Sequence, residues 1–178
     1  YSCVNGSGIF DGPNDQSSIS AINSWGAGVN AVRVPLNEAC WNGESYVNSA
    51  YRGSSYINAI KAYVSLLNSN GLAAILDLHW TDGVYTGNSS GCSSSEAICQ
   101  KPMPDSAGAI PFWTSVANTF KGNNAVVFDL FNEPYPDRAS NETSGWQCWL
   151  NGGSCAGISY NVAGMQSMVN AVRSTGAS

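Results

Sequence analysis

Charge is scarce in this chain. Of its 178 residues only 11% are Asp, Glu, Lys or Arg, where globular chains average about 25%. Seven Lys and Arg stand against twelve Asp and Glu, a net charge of -5. The cations, from Arg33 to Arg173, are scattered. With no basic stripe to neutralise phosphates, nucleic acid is excluded as a partner. No apolar run approaches the roughly 18 residues that a membrane-crossing helix needs, so no membrane span is expected. Histidine occurs once, at His79, and there is no C-x-x-C, so a zinc set is missing. Gly6, Gly8 and Gly12 are spaced wrongly for a dinucleotide-binding turn and follow no strand.

What fills the sequence instead is polar but neutral. Ser, Asn and Gly are abundant, and 11% of residues are aromatic. Such a surface suits a secreted, extracellular protein that meets neutral polymers. Six cysteines fit the same compartment. Cys92/Cys99 and Cys148/Cys155 each enclose six residues in Gly/Ser-rich stretches, where a local staple is useful. Cys3 and Cys40 are then left to pair over the longer distance, one of fifteen possible connectivities. Asn5-Gly-Ser7, Asn88-Ser-Ser90 and Asn141-Glu-Thr143 fit the N-glycosylation pattern.

Hydrophobic periodicity gives an alternation of helices and strands. Helices are predicted over about Asp15–Trp25, Ser54–Asn70, Ala109–Lys121 and Tyr160–Arg173, with Asp15 as a cap and Gly71 as a stop. Val29–Leu36, Leu72–His79 and Ala125–Phe131 read as near-continuously apolar strands. Strands apolar on both faces between amphipathic helices predict a parallel sheet covered by helices. The segments after each strand are long (36–53, 80–108, 132–159), and those after each helix are short. Closed α/β barrels place their elaborated loops in that way. The fold class expected is therefore α/β, part of a (β/α)8 TIM barrel. Three strands alone leave two unpaired edges, and the chain stops at Ser178 where a further strand should follow. Residues 1–178 are expected to be a partial catalytic domain.

Three polar groups fall at strand ends: Arg33, His79, and Asn132 with Glu133. In a parallel sheet these ends share one side, where such folds build their sites. Glu133 suits a general acid, because a carboxyl among apolar and aromatic groups holds its proton more firmly. Asn132 offers hydrogen bonds to a sugar hydroxyl without charge, and Pro134 stops the strand. Trp41, Trp80, Tyr85, Tyr135, Trp146 and Trp149 lie in strand-end loops, where indole and phenol rings can stack on a pyranose face. Asp77 and Asp129 lie deeper on their strands and are expected to hydrogen-bond inside the barrel. Glu38 and Asp82 fall in loops whose positions the sequence does not constrain.

The segments Asn30-Ala-Val-Arg33-Val-Pro-Leu36, Ile75-Leu-Asp-Leu-His79-Trp80 and Phe128-Asp-Leu-Phe-Asn132-Glu133-Pro134 resemble the second, third and fourth strands of glycoside hydrolase family 5, the cellulase family. The resemblance covers the whole chain, from past the first strand to before the fifth. It implies a retaining endo-acting hydrolase of β-linked polysaccharide, with β-1,4-glucan as the substrate. In that reading Glu133 is the acid/base, and Asn132 contacts the sugar 2-hydroxyl. Arg33 orients the nucleophile, His79 lines the cleavage subsite, and Trp80 and Tyr135 add substrate contacts. No metal or cofactor is implied, and the full-length protein is expected to be a monomer. The family's nucleophile, at the end of the seventh strand, has no counterpart here. The alternative is a non-catalytic carbohydrate-binding protein on the same scaffold.

Overall fold

Two adjacent parallel strands cannot be joined by a tight turn; the chain must cross over, usually through a helix. That constraint organises the computed structural model of the protein, which describes residues 2–26, 28–82, 100–139 and 141–177. Helices α1 (Ser2–Asn5) and α2 (Gln16–Asn23) precede strand β1 (Ala31–Asn37). Then α3 (Glu38–Asn42), a 3-10 turn at Ser49–Tyr51 and α4 (Ser54–Ser69) lead to β2 (Ala73–Trp80). Helix α5 (Ser106–Phe120) crosses to β3 (Val126–Asp129). After it come α6 (Pro136–Ala139), α7 (Glu142–Asn151), the short antiparallel strands β4 (Gly152–Ser154) and β5 (Asn161–Ala163), and α8 (Met165–Ser174).

Strands β1, β2 and β3 form one parallel sheet in sequence order, with Val34 beside Leu76 and Leu76 beside Phe128. Residues of alternate parity face opposite sides. Val34, Leu36, Ala74, Leu76 and Leu78 are all buried on the helix-covered side. The opposite side carries Arg33, Asp77, His79 and Asp129 and is partly open, with Val127 52% exposed. The expectation of strands apolar on both faces therefore holds for one face only. Helices cover that face, and on the other Pro35, Ile75 and Val127 alternate with the polar Arg33, Asp77, His79 and Asp129.

The helices form for readable reasons. Asp15 caps α2, its side chain accepting from Ser18 N. Tyr56, Ile60, Val64 and Leu67 make the buried stripe of α4, as the periodicity predicted. Helix α5 starts three residues before the predicted Ala109, because Asp105 caps it by accepting from Gly108 N. Gly108 and Pro111 hid that first turn. Gly108 is needed for space rather than backbone freedom: a Cβ there would lie 2.0 Å from Glu38 Oε1. The last helix starts at Met165 rather than Tyr160, since Asn161–Ala163 pairs with Gly152–Ser154. The supposed loop 132–159 holds α6, α7 and β4.

The main core is aromatic. Trp41 is 2% exposed and meets Tyr56, Phe112 and Phe120 at centroid distances of 5.9–6.4 Å. The edge-to-face pairs with Tyr56 and Phe112 add about 0.5–1.5 kcal/mol each beyond area burial. The Trp41 ring, expected among the sugar-stacking aromatics, is thus a core residue. A second cluster of Met103, Cys148, Ile158 and Val162 forms around α7 and the small antiparallel pair. Disulfides Cys3–Cys40 and Cys148–Cys155 are formed as the sequence suggested; Cys92 and Cys99 lie outside the described residues. A cross-link spanning 37 positions restricts the unfolded chain by on the order of 4 kcal/mol, and one spanning seven by about 2.5 kcal/mol.

Glu38, expected in an unconstrained loop, is fully buried at the start of α3. Its Oε1 accepts from Asp82 N at 3.3 Å, and its Oε2 has no hydrogen-bond partner among the described residues. Burial, reinforced by the charge of Asp105, holds its carboxyl well above the ordinary carboxylate range, with Lys101 pulling the other way. A carboxyl raised on folding takes up protons that the unfolded chain releases, so its stabilising contribution is lost as pH rises past the unfolded value. Unfolding in urea at a series of pH values is expected to show stability declining above about pH 4.5 by more than in E38Q. Parallel profiles for the two proteins would contradict this.

Candidate active site

The polar face of the sheet converges on one carboxylate. Asp77, in β2, has a side chain shut off from solvent. Its Oδ2 lies 2.9 Å from Arg33 in β1 and 2.7 Å from His79 Nδ1 two residues along its own strand. Parallel register makes this possible, because Pro35 is the direct neighbour of Asp77 and Arg33 sits one pleat below. The same Arg33 nitrogen reaches Asp129 Oδ2 at 3.3 Å and donates to Asn132 Oδ1 at 2.8 Å. Arg33, in β1, therefore binds residues of both other strands and Asn132 beyond β3.

These bonds fix the chemistry that each group presents. With Asp77 engaging its Nδ1, Nε2 is the ring nitrogen of His79 left for a ligand. The ring packs edge-on against Trp80, centroids 5.3 Å apart. Asn132 is buried, and the Arg33 bond identifies its Oδ1, so Nδ2 is the group left to donate to a ligand. Its backbone N donates to Leu78 O, extending the β2–β3 pairing past the end of β3.

Glu133 follows at the rim with φ +44°, the only described non-glycine residue in the left-handed region. A glutamate seldom adopts that conformation, and such strain concentrates at functional sites. Gln100 holds the bend by donating to the carbonyls of both Asn132 and Glu133, at 2.9 and 3.1 Å. The Glu133 side chain is exposed, so the apolar surroundings expected for it are not supplied by the described residues.

Arg33, His79 and Asn132 are thus brought into one network, with Glu133 adjoining it through the backbone. The internal hydrogen-bonding expected of Asp77 and Asp129 is present; that Asp77 joins two strands and locks His79 is legible only in three dimensions. Gln100 was missed, since nothing marks a glutamine 32 positions from its partner. Tyr135 is buried, donating its hydroxyl to Gln100 O at 2.6 Å with Arg138 over its ring. Tyr85 lies outside the described residues. Trp146 and Trp149, expected in a loop, are on helix α7.

Residues 3–178 match the cellulase family, glycosyl hydrolase family 5. The chain belongs to that family. Endoglucanase B of Clostridium cellulovorans is 26% identical over 121 residues, which are 67% of this chain and 24% of that protein. A Pseudomonas stutzeri endoglucanase, solved with cellobiose, superposes with a TM-score of 0.54 at 20% identity, covering 90% of this chain and 39% of its own. A family 5 enzyme of Prevotella bryantii, solved with a xyloglucan tetradecasaccharide, gives a TM-score of 0.60 at 20% identity, with coverage of 92% and 42%. The α/β fold with its parallel β1–β2–β3 sheet is thus a partial match to the barrel of this family. The chain spans about a quarter of the curated relative and about two fifths of these solved ones.

The family 5 network gives unequal weights to its two aspartates. Replacing a buried ion-pair partner costs about 3–5 kcal/mol, and less here because Arg33 is 41% exposed. D77N is expected to lower stability by about 2 kcal/mol, read by urea unfolding. D129N, at 3.3 Å with both partners about 40% exposed, is expected to cost under about 1 kcal/mol. Equal losses would mean that Asp77 is not the hub.

Proposed function

We propose that this chain supplies the acid/base half of a retaining, endo-acting β-glycan hydrolase, with β-1,4-glucan as the substrate. The observation that supports it most is the Arg33–Asn132 bond beside a backbone-strained Glu133. It sets an amide donor and a carboxyl next to each other at the rim of a parallel sheet. Glu133 in its acid form protonates the glycosidic oxygen as the bond to the anomeric carbon breaks. A second carboxylate attacks that carbon and forms a glycosyl ester. Glu133, now ionised, takes a proton from the water that hydrolyses the ester, and both carboxyls are restored. Asn132 Nδ2 donates to the hydroxyl beside the anomeric carbon, His79 Nε2 bonds to a neighbouring one, and Trp80 flanks the sugar. Tyr135, with its hydroxyl already bonded to Gln100, acts by holding the Glu133 bend.

The second carboxylate must lie about 5–5.5 Å from the first. Asp77 and Asp129 are both engaged by Arg33, so we assign the nucleophile to a part of the protein outside these 178 residues. That assignment fits a partial catalytic domain spanning two fifths of the solved relatives. Secretion accords with the two described disulfides. The substrate class draws on relatives named endoglucanases, one of them solved with cellobiose.

In the complete enzyme, E133Q is expected to lower turnover of soluble β-glucan by about 10²- to 10⁴-fold, and near-normal turnover would remove Glu133 from this role. The purified 178-residue chain by itself is expected to release no reducing sugar from the same polymer. Measurable hydrolysis by it would place the second carboxylate within the chain.

A further inference from the structure

Beyond the strand ends lies a cavity that the acid/base reading does not use. It has a volume of about 490 Å³ and is lined by Pro134, Pro136, Asp137, Gly145, Trp146 and Trp149. That volume is within the roughly 300–1,000 Å³ of small-molecule sites. Pro134, the residue after Glu133, is part of the cavity's lining. Trp146 and Trp149 are three positions apart on α7 and therefore share a helix face. Their rings meet edge to face at 5.9 Å. Trp149 packs on the second hydrophobic cluster, while Trp146 is 62% exposed.

The platform is rigidly mounted. Asn141 caps α7 by accepting from Ser144 N, and Cys148–Cys155 ties the helix to the segment after it. Gly145 lets α7 lie directly on α6; a Cβ there would come within 2.6 Å of Asp137 Cα. Among the described residues the cavity's lining holds one carboxylate, Asp137, and no cation. An anionic ligand is disfavoured, and a ligand with apolar C–H faces and hydroxyl donors is favoured, which is the chemistry of a neutral pyranose.

We propose that Trp146, with Trp149 and Asp137, forms an additional subsite that binds a hexopyranose unit of a long glycan away from the cleaved bond. Trp146 stacks on the sugar face, Trp149 walls its edge, and Asp137 accepts from its hydroxyls. The proposal rests on the hydrolase reading for its substrate, and the experiment separates the two. In the complete enzyme, W146A is expected to raise KM for cellohexaose about 5- to 15-fold, several-fold more than for cellotetraose, with W146F keeping most of the affinity. In an E133Q background, calorimetric titration with cellohexaose is expected to show Kd raised by the same factor on adding W146A. A Kd unmoved by W146A in an E133Q protein that still binds the hexamer would overturn the subsite and leave Glu133 in place. Undiminished turnover in E133Q, with KM still dependent on Trp146, would do the reverse. Equal KM changes for both lengths, or a lowered Tm with no dependence on length, would mark Trp146 as a packing residue and overturn the proposal.

Discussion

Asp77 and Arg33 form the contact on which the site depends. A carboxylate removed from solvent is costly unless paired, and Asp77 is paired on one oxygen with two partners while its other oxygen has none among the described residues. The cost is met by joining β1 to β2 through Arg33 and fixing the His79 ring. Through Arg33 the same contact sets the orientation of Asn132, at the far strand. His79 and Asn132 therefore depend on one buried carboxylate, and the electrostatics of the polar face set their geometry.

The opposite face of the sheet provides the rigidity. Its small and aliphatic residues sit under α4 and α5, and the aromatic cluster about Trp41 locks those helices together. Tight backbone approaches do the same elsewhere: Gly108 against Glu38, and Gly145 against Asp137. Glycine at these points is a matter of distance, not of flexibility. A chain with so few charges has little else with which to fix the elements that follow β2 and β3. It uses disulfides, caps and close packing instead.

The segment after β3 is more ordered than a connecting loop. Glu133 sits in a strained bend whose carbonyls are held by Gln100, and Tyr135 returns a bond to the same glutamine. Helix α7 is then seated on α6 and stapled by Cys148–Cys155. One segment therefore carries both Glu133 and, on α7, the indole pair Trp146 and Trp149.

By itself the sequence determined the alternation of helix and strand, the parallel sheet and the family, and it singled out Arg33, His79, Asn132 and Glu133, although Arg33 lies within β1 rather than at its end. All of these follow from periodicity and short motifs, which are local in the chain. It misplaced Trp41, left Glu38 unconstrained and read α7 as loop. Burial of those side chains is set by partners such as Phe112, Asp105 and Asp137, which lie far along the sequence or in another element. Only the tertiary structure decided that Asp77 is the hub, that Gln100 holds the bend, and that Trp146 and Trp149 share one face over a cavity. Each is a contact between segments that hydrophobic pattern does not couple, and register and packing alone bring them together.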